Sequence, residues 1–400
     1  MVVGFRCGAI NEPRELAGIS HVVEHMMFKS TTSKRSIELI ETFNRMGAKW
    51  NATTSNDYTE YHVCCDMDNA QEMIRILLDL VSDIDVSLTE FEKEKKVVIE
   101  ELALNPEECE HQDIFKLAHR STPYFSTIIG TKKTLGAMKL VDVKQFHAAH
   151  YNKPLVVYSC SAQDKTNVHQ WIVKSLGNRA NANANANTNV NANTCNTLVN
   201  INVSRYFGRS EHLLHKIKAD QSESCKIAYL GFPMSDPRAR TATIIAYILS
   251  RRLFIKIREQ KGSLYSIRIR HDARAHVGLF TVEFKTMNGQ VVDILRAFKN
   301  ALVELNKMTP AVYKSYLLAW TKKRQIEQKN DPHQASLTAI KEELYCANMN
   351  NMNNMNNMNN TSSETNMLTK LFDPRRLTCI IHTRSGNRKE IETILGIKDS

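Results

Sequence analysis

Nine residues, Ser20-His21-Val22-Val23-Glu24-His25-Met26-Met27-Phe28, constrain this chain more than any other stretch. They contain His-x-x-Glu-His. On a helix, His21 and His25 are one turn apart and leave the same face. Two neutral imidazoles at that spacing can hold one Zn²⁺ ion. Glu24, three residues after His21, lies on the same side. A carboxylate there can sit beside the ion without ligating it, in the place needed to take a proton from an activated water. The plainer alternative is two histidines on an ordinary amphipathic helix.

A three-residue zinc site needs one more ligand, usually a carboxylate or a third histidine. The candidate stretch is Thr89 to Leu102, which reads as a helix. Thr89 with Glu92 predicts a capping box at its start, and Pro106 predicts its end. Glu94 and Glu101 are seven apart and share one face, with Val97 and Val98 near the same stripe. A carboxylate on an apolar stripe is costly unless it is paired or bound to a metal. Glu101 is therefore the expected third ligand, and Glu94 the group that orients a ligand from behind. A solvated Glu/Lys helix is the competing reading of the same segment.

His21-x-x-Glu24-His25 followed by Glu101 resembles the inverted-motif zinc peptidases of the pitrilysin and insulinase family. The closest likeness is to the branch containing mitochondrial processing peptidase and its short bacterial relatives. Gly8, Glu12 and Gly18 fall where that family has Gly, Glu and Gly before the motif. Met26-Met27-Phe28-Lys29-Ser30-Thr31 resembles its continuation, and Gly47-Ala48-x-x-Asn51-Ala52-x-Thr54 with Thr59-x-Tyr61 resembles its next strands. The resemblance implies an α+β fold of two similar domains, each an antiparallel-rich sheet packed with helices, forming a clam-like pair around a cleft. It also implies a zinc endopeptidase that hydrolyses extended polypeptides, with Zn²⁺ as cofactor. The alternative within the family is a catalytically weak subunit acting as scaffold or partner. Pairing with a second copy or a related subunit is implied, since the processing-peptidase branch uses a partner with a glycine-rich loop that this chain lacks.

The same resemblance assigns further residues. Arg258 and Tyr265, seven apart in Arg258-Glu259-Gln260-Lys261-Gly262-Ser263-Leu264-Tyr265, match the family's pair that reaches across the cleft to the scissile bond. Negative charge building on the carbonyl oxygen would be steadied there by a guanidinium and a phenol. Without the resemblance, Arg258 is a helix-end cation and Tyr265 a strand residue. The strand near Trp50 to Thr54, with Asn51 and Ala52, is where the family adds an extended substrate to a sheet edge. The family also has a strand before the start of this chain, so a truncated sheet edge or a late start is expected.

The domain expectation is 1–177 for a zinc-binding catalytic half and 200–400 for a related half without metal. Residues 178–199 form an Asn/Ala-rich linker between them, and an Asn/Met-rich insert lies at 347–360. Neither low-complexity tract has an apolar period with which to order itself. Four hundred residues suffice for two cores of ordinary size. No apolar run approaches the 18 residues that a membrane span needs. The first seven residues read as folded sequence, with no targeting segment, so an intracellular chain of undetermined compartment is expected. Nine cysteines without a C-x-x-C spacing fit reduced thiols. The net charge of +11 admits a nucleic-acid partner, but no recognition motif accompanies it. A mildly basic solvated surface is the plainer account.

Periodicity supplies the other elements. The first residues through Ala9 read as a strand. Ser36 to Met46 reads as a helix with Ile37, Ile40 and Phe43 inward and Gly47 as its stop. Strands follow at Trp50–Thr54 and Thr59–Cys65. A helix capped by Asp68 and Gln71 carries Ala70, Met73, Ile74, Leu77, Leu78 and Val81. Helices are expected at His111–Arg120 and Val141–His150, and a buried strand at Leu155–Ser161. In the second half, strands are expected at Cys225–Phe232, Gly278–Thr286 and Arg376–Thr383. Helices are expected there at Ala239–Arg258, Val291–Leu305 and Pro310–Gln328. The lack of a steady βαβ alternation favours α+β over a doubly wound sheet.

Overall fold

The computed structural model describes residues 1–29, 36–104, 114–115, 117–119, 122–125, 127–161, 163–184, 212–217, 222–261, 264–287, 290–345, 368, 370–383 and 388–397. The chain forms two compact units, each α+β with one sheet. The first comprises Met1–Glu108, Ser126–Asn200 and Glu327–Leu344. The second comprises Cys109–Phe125, Ile201–Ile326 and Tyr345–Ser400. Two segments thus fold with the unit opposite to the one their sequence position implies.

The sheet of the first unit contains β1 (Val2–Phe5), β2 (Lys49–Thr54), β3 (Thr59–Cys64) and β4 (Leu155–Val157), in the order β2-β3-β1-β4. Every pairing is antiparallel, and β2 lies at an edge. The β2–β3 hairpin closes through Ser55, whose Oγ accepts from the backbone N–H of Asp57 and Tyr58 at 3.2 and 3.1 Å. Val3, Phe5, Ala52, Tyr61 and Val63 turn toward a core shared with α1 (Ile19–Met27), α2 (Ser36–Arg45), α3 (Met67–Leu80) and α4 (Leu88–Leu104). Phe5 stacks on Tyr151 at 4.1 Å, and Phe43 stacks on Trp50 at 5.0 Å. Further helices are α5 (Lys132–Ala137), α6 (Leu140–His150) and α7 (Lys165–Ala184).

Several expectations shift in this unit. The first strand stops at Phe5, and Ala9–Asn11 form a 3₁₀ turn. The N–H groups of Ala9 and Ile10 are taken by the carbonyls of Ser55 and Asn56 in the hairpin turn, which leaves no ladder to continue. In α2 the buried residues are Leu39, Thr42 and Phe43, while Ile37 is 71% exposed and Ile40 39%. Phe43, inward as expected, stacks on Trp50, and Leu39 and Thr42 rather than Ile37 and Ile40 complete the buried face. Helix α3 starts at Met67, with Asp66 at the N-cap position, so Asp68 sits in the first turn. The strand expected at Leu155–Ser161 pairs only over Leu155–Val157, opposite Val2–Gly4 of β1. Helix α7 continues to Ala184, into the Asn/Ala tract expected to lack structure. Pro106, both ends of the expected His111–Arg120 helix and the whole Asn/Met insert lie outside the described residues.

Sequence periodicity did not reveal α11 (Pro332–Tyr345), the element after α10 (Pro310–Asn330). It lies on the sheet face opposite the main core, with Ile340 and Leu344 buried. A Cβ on Gly4 would come within 2.7 Å of Ile340 Cδ1, so a strand glycine lets the helix approach this closely. Arg6 donates to the carbonyl of Glu343 at 3.0 Å.

The sheet of the second unit contains β5 (His212–Ile217), β6 (Ser222–Leu230), β7 (Leu264–Ala273), β8 (Gly278–Met287) and β9 (Leu377–Thr383), in the order β5-β9-β6-β8-β7. Among the described residues, only the β5–β9 pairing of this sheet is parallel. Alternate residues line up across four strands: Ile267, Phe284, Cys225 and Ile381 form one row, and Ile269, Val282, Ile227 and Cys379 the next. These rows pack with α8 (Arg238–Lys261) and α9 (Val291–Asn306) through Ala242, Ile245, Leu249, Ile294, Leu295 and Phe298. The third row runs His271, Phe280, Tyr229 and Leu377, placing a histidine where the pattern demands an apolar residue. The chain also forms α12 (Arg388–Leu395). Among the described residues, no helix is long and apolar enough to cross a membrane.

Candidate metal centre

Helix α1 starts at Gly18, whose φ of +96° lies in the left-handed region. A Cβ there would meet Ile129 O at 2.6 Å and Gly130 Cα at 2.8 Å, so glycine is required on both counts. The opening N–H groups of a helix need acceptors. Here they find one outside the helix: the Glu12 carboxylate accepts from Gly18 N at 2.7 Å and from Ser20 N at 2.8 Å. Burial pushes Glu12 up to about 7, against the pull of those bonds. Ile19, Val22, Val23, Met26 and Met27 are fully buried. Each such side chain stabilises by about 1.5–3 kcal/mol. Their spacing turns His21, Glu24 and His25 to the half-buried side of the helix.

Helix α4 brings the acidic partners. Its N-terminus is closed by Ser87 and Glu90: Glu90 Oε2 accepts from Ser87 N at 2.9 Å, and Ser87 Oγ accepts from Glu90 N at 3.2 Å. The capping box therefore stands two residues before the expected Thr89–Glu92 pair, and Glu92 instead binds Lys95 at 2.8 Å. Two turns further along, Glu94 and Glu101 both face α1. Glu101 Oε2 lies 3.4 Å from His25 Nε2 and 3.9 Å from His21 Nε2. Glu94 Oε1 lies 2.9 Å from His25 Nδ1, and Glu94 Oε2 lies 2.5 Å from Lys29 Nζ.

The donor set fits a zinc ion. One ligand atom each from His21, His25 and Glu101 falls within a mutual 4.8 Å. Arms of about 2.0–2.2 Å in a tetrahedral site place ligand atoms roughly 3.3–3.6 Å apart, which is close to the separations from Glu101. Two imidazoles and a carboxylate are also ligand types that zinc takes in sites keeping a fourth position for a reactant. With Glu94 accepting at Nδ1, His25 presents Nε2 as its free lone pair. His21 Nδ1 is buried without a hydrogen-bond partner among the described residues.

The electrostatics separate the two imidazoles. Burial, helped by the neighbouring His25, pushes His21 down to about 3, so its ring stays neutral. Burial also pulls His25 down, but the Glu94 hydrogen bond and the charges of Glu24, Glu94 and Glu101 outweigh it and raise its pKa. Burial raises Glu24, opposed by a hydrogen bond from Thr54 Oγ1 to Glu24 Oε2 at 2.5 Å. Burial acts upward on Glu94 too, yet the bonds from His25 and Lys29 hold it below its ordinary value.

Glu24 stands outside the three-atom cluster but on the same helix face, supported by Thr54 from β2. Asn51 and Ala52 lie on that edge strand, with Asn51 exposed and Ala52 facing the core. Arg258 lies near the end of α8 and Tyr265 near the start of β7. Both belong to the second unit, and their side chains lie outside the described residues. Sequence reasoning missed the contacts of Glu12, Lys29 and Thr54. Lys29 is four residues after His25, a spacing that could have drawn attention. Thr54 and Glu12 act from a strand and a turn, where helical periodicity gives no signal.

Residues 1–132 match the family model described as Insulinase (Peptidase family M16), and residues 138–313 match the Peptidase M16 inactive domain. An uncharacterized zinc protease, YmxG of Bacillus subtilis, is 26% identical over 308 residues, covering 75% of this chain and 71% of its own. An uncharacterized zinc protease of Rickettsia felis is 25% identical over 316 residues, covering 77% and 72%. Among solved structures, a protease from Helicobacter pylori superposes with a TM-score of 0.73 at 17% identity, covering 96% of this chain and 93% of its own. The first half of the periplasmic protease PqqL from Escherichia coli gives 0.71 at 16%, covering 100% and 92%. With both domain models matched in order along most of its length, the chain belongs to peptidase family M16.

Proposed function

We propose that the chain is a zinc-dependent endopeptidase that hydrolyses extended polypeptides at the metal centre of its first unit. His21, His25 and Glu101 hold the ion, and Glu24 serves as general base. The observation that carries this reading is the approach of one carboxylate oxygen from α4 to both imidazoles of α1, with a second carboxylate alongside. Zinc, when bound, supplies Lewis-acid activation of a water and of the peptide carbonyl. Glu24 Oε2 is occupied by Thr54, which leaves Oε1 to take the proton of the water and later deliver it to the leaving amine. Burial raises Glu24 above the ordinary carboxylate value, which suits that two-way role, because a less acidic carboxyl holds a proton more readily before passing it on. Glu94 orients the His25 ring. The family resemblance gives Arg258 and Tyr265 the part of steadying the negative charge that develops on the carbonyl oxygen.

Strand β2 supports the mode of substrate binding. It is an edge strand, so the backbone at Asn51 and Ala52 can pair with an added peptide strand. This mode reads few side chains and accepts many sequences. The processing-peptidase branch is the part of the family this reading favours, with a second copy or a related subunit as partner. The alternative is a weakly active subunit serving as a scaffold. It gains plausibility from the name of the second domain model, which covers residues 138–313. It gives no account of a base held by Thr54 beside a complete ligand set. The test is metal removal. Chelator-treated protein is expected to lose cleavage of an unfolded polypeptide, and one equivalent of zinc to restore it. Undiminished cleavage by metal-free protein would refute the peptidase reading.

A further inference from the structure

We infer that Lys29 is a positioning residue for the metal centre: its ammonium fixes Glu94, and through Glu94 the His25 ring. This rests on the zinc reading above and adds a residue to it. Helix α1 ends at Met27, with Phe28 as its C-cap, and the Lys29 N–H closes the end on the Met26 carbonyl at 3.1 Å. The side chain then lies one turn beyond His25, on the same side. The two oxygens of Glu94 are divided between two partners: Oε2 is 2.5 Å from Lys29 Nζ and Oε1 is 2.9 Å from His25 Nδ1. A carboxylate bound at one oxygen can still rotate, whereas binding at both fixes its plane. That plane sets the direction of the His25 Nδ1–H bond, and hence the aim of Nε2 toward Glu101 at 3.4 Å.

Burial makes the contact consequential. A Lys–carboxylate pair in open water contributes little, because both side chains lose freedom and water competes. Here the Glu94 side chain is only 12% exposed and that of Lys29 28%. Removing the ammonium leaves a nearly buried carboxylate short of a partner, and such a group moves or finds another. Either response releases His25. Groups behind metal-ligating histidines commonly change metal affinity by about 10–100-fold when lost.

The experiment measures zinc dissociation constants by competition with a chromophoric chelator. It uses full-length wild type, Lys29→Met, Lys29→Arg, Glu94→Gln and the Lys29→Met/Glu94→Gln double variant. Lys29→Met is expected to weaken zinc binding by about 10–100-fold, and Lys29→Arg to recover most of the loss. In the double variant, the lysine change is expected to add nothing to the effect of Glu94→Gln, a coupling that a general loss of packing would not produce. Should Lys29→Met fail to fold, Lys29→Gln replaces it in the same cycle. Equal zinc affinity in wild type and Lys29→Met overturns the inference alone, as do additive effects in the double variant. A wild type that takes up no zinc overturns the peptidase reading together with it.

Discussion

Replacing Glu24 by Gln is expected to leave zinc binding intact and to slow cleavage of an unfolded polypeptide by roughly 10²–10⁴-fold, the usual range for a lost acid–base group. The two expectations have separate physical sources. Glu24 lies outside the ligand cluster, so the donors are unchanged by the substitution. Gln has the same shape and keeps a carbonyl oxygen for Thr54 Oγ1, so the rotamer survives. What disappears is the ability to take up and return a proton at the other oxygen. Metal content by mass spectrometry and single-turnover cleavage rates check the two halves independently. A variant as fast as wild type would remove Glu24 from the mechanism.

Acidification from pH 7.5 to pH 4 is expected to destabilise the second unit through His271, by about 3 kcal/mol. His271 occupies a core-facing position on β7, with Nε2 accepting from Phe232 N at 3.1 Å and Thr243 Oγ1 at 3.4 Å from Nδ1. Burial outweighs the opposing pull of Asp272 and Asp236 and pushes its pKa down to about 4. An unfolded histidine titrates near 6.5. Between those values the unfolded chain binds more protons than the folded one. Stability is therefore fully present above pH 6.5 and is lost as pH falls toward 4. The gap of about 2.5 units at 1.36 kcal/mol each sets the size. Carboxylates titrate in the lower part of this window, so the measurement is a difference. Urea unfolding of wild type and His271→Gln is compared across the range, with Gln offering an oxygen to Phe232 N. The wild-type curve is expected to be the steeper; parallel curves would assign the pH dependence to other groups.

The candidate site was largely legible because it is written in helical periods. His21 and His25 are one turn apart, Glu94 and Glu101 two turns apart, and a face-sharing argument needs no tertiary information. Glu94 meets His25 and Glu101 approaches both histidines, as that argument requires. Where the reading erred, a long-range contact decided the outcome. Phe43 faces inward and stacks on Trp50, a residue in a later strand, but Leu39 and Thr42 share its side and Ile37 and Ile40 are exposed. The strand after Leu155 pairs only where Leu155–Val157 lie opposite Val2–Gly4 of β1. Capping boxes at Ser87–Glu90 and Thr89–Glu92 satisfy the same pattern, and only the helix entry chooses between them. Glu12 and Thr54 were legible only as likenesses to a family motif, since their partners are six to thirty positions away. Helix α11 was invisible for a related reason: it packs on strand β1, where Gly4 meets Ile340 more than 300 positions later in the chain.

The account stands or falls on which atoms surround the metal. X-ray absorption at the zinc edge of the purified, zinc-loaded protein reads this directly. The expected first shell contains two imidazole nitrogens and light oxygen donors at about 2.0–2.2 Å, with one imidazole signal lost in His21→Ala and one in His25→Ala. A shell that contains sulfur, or that is unchanged when either histidine is removed, would place the zinc elsewhere and contradict the proposed centre.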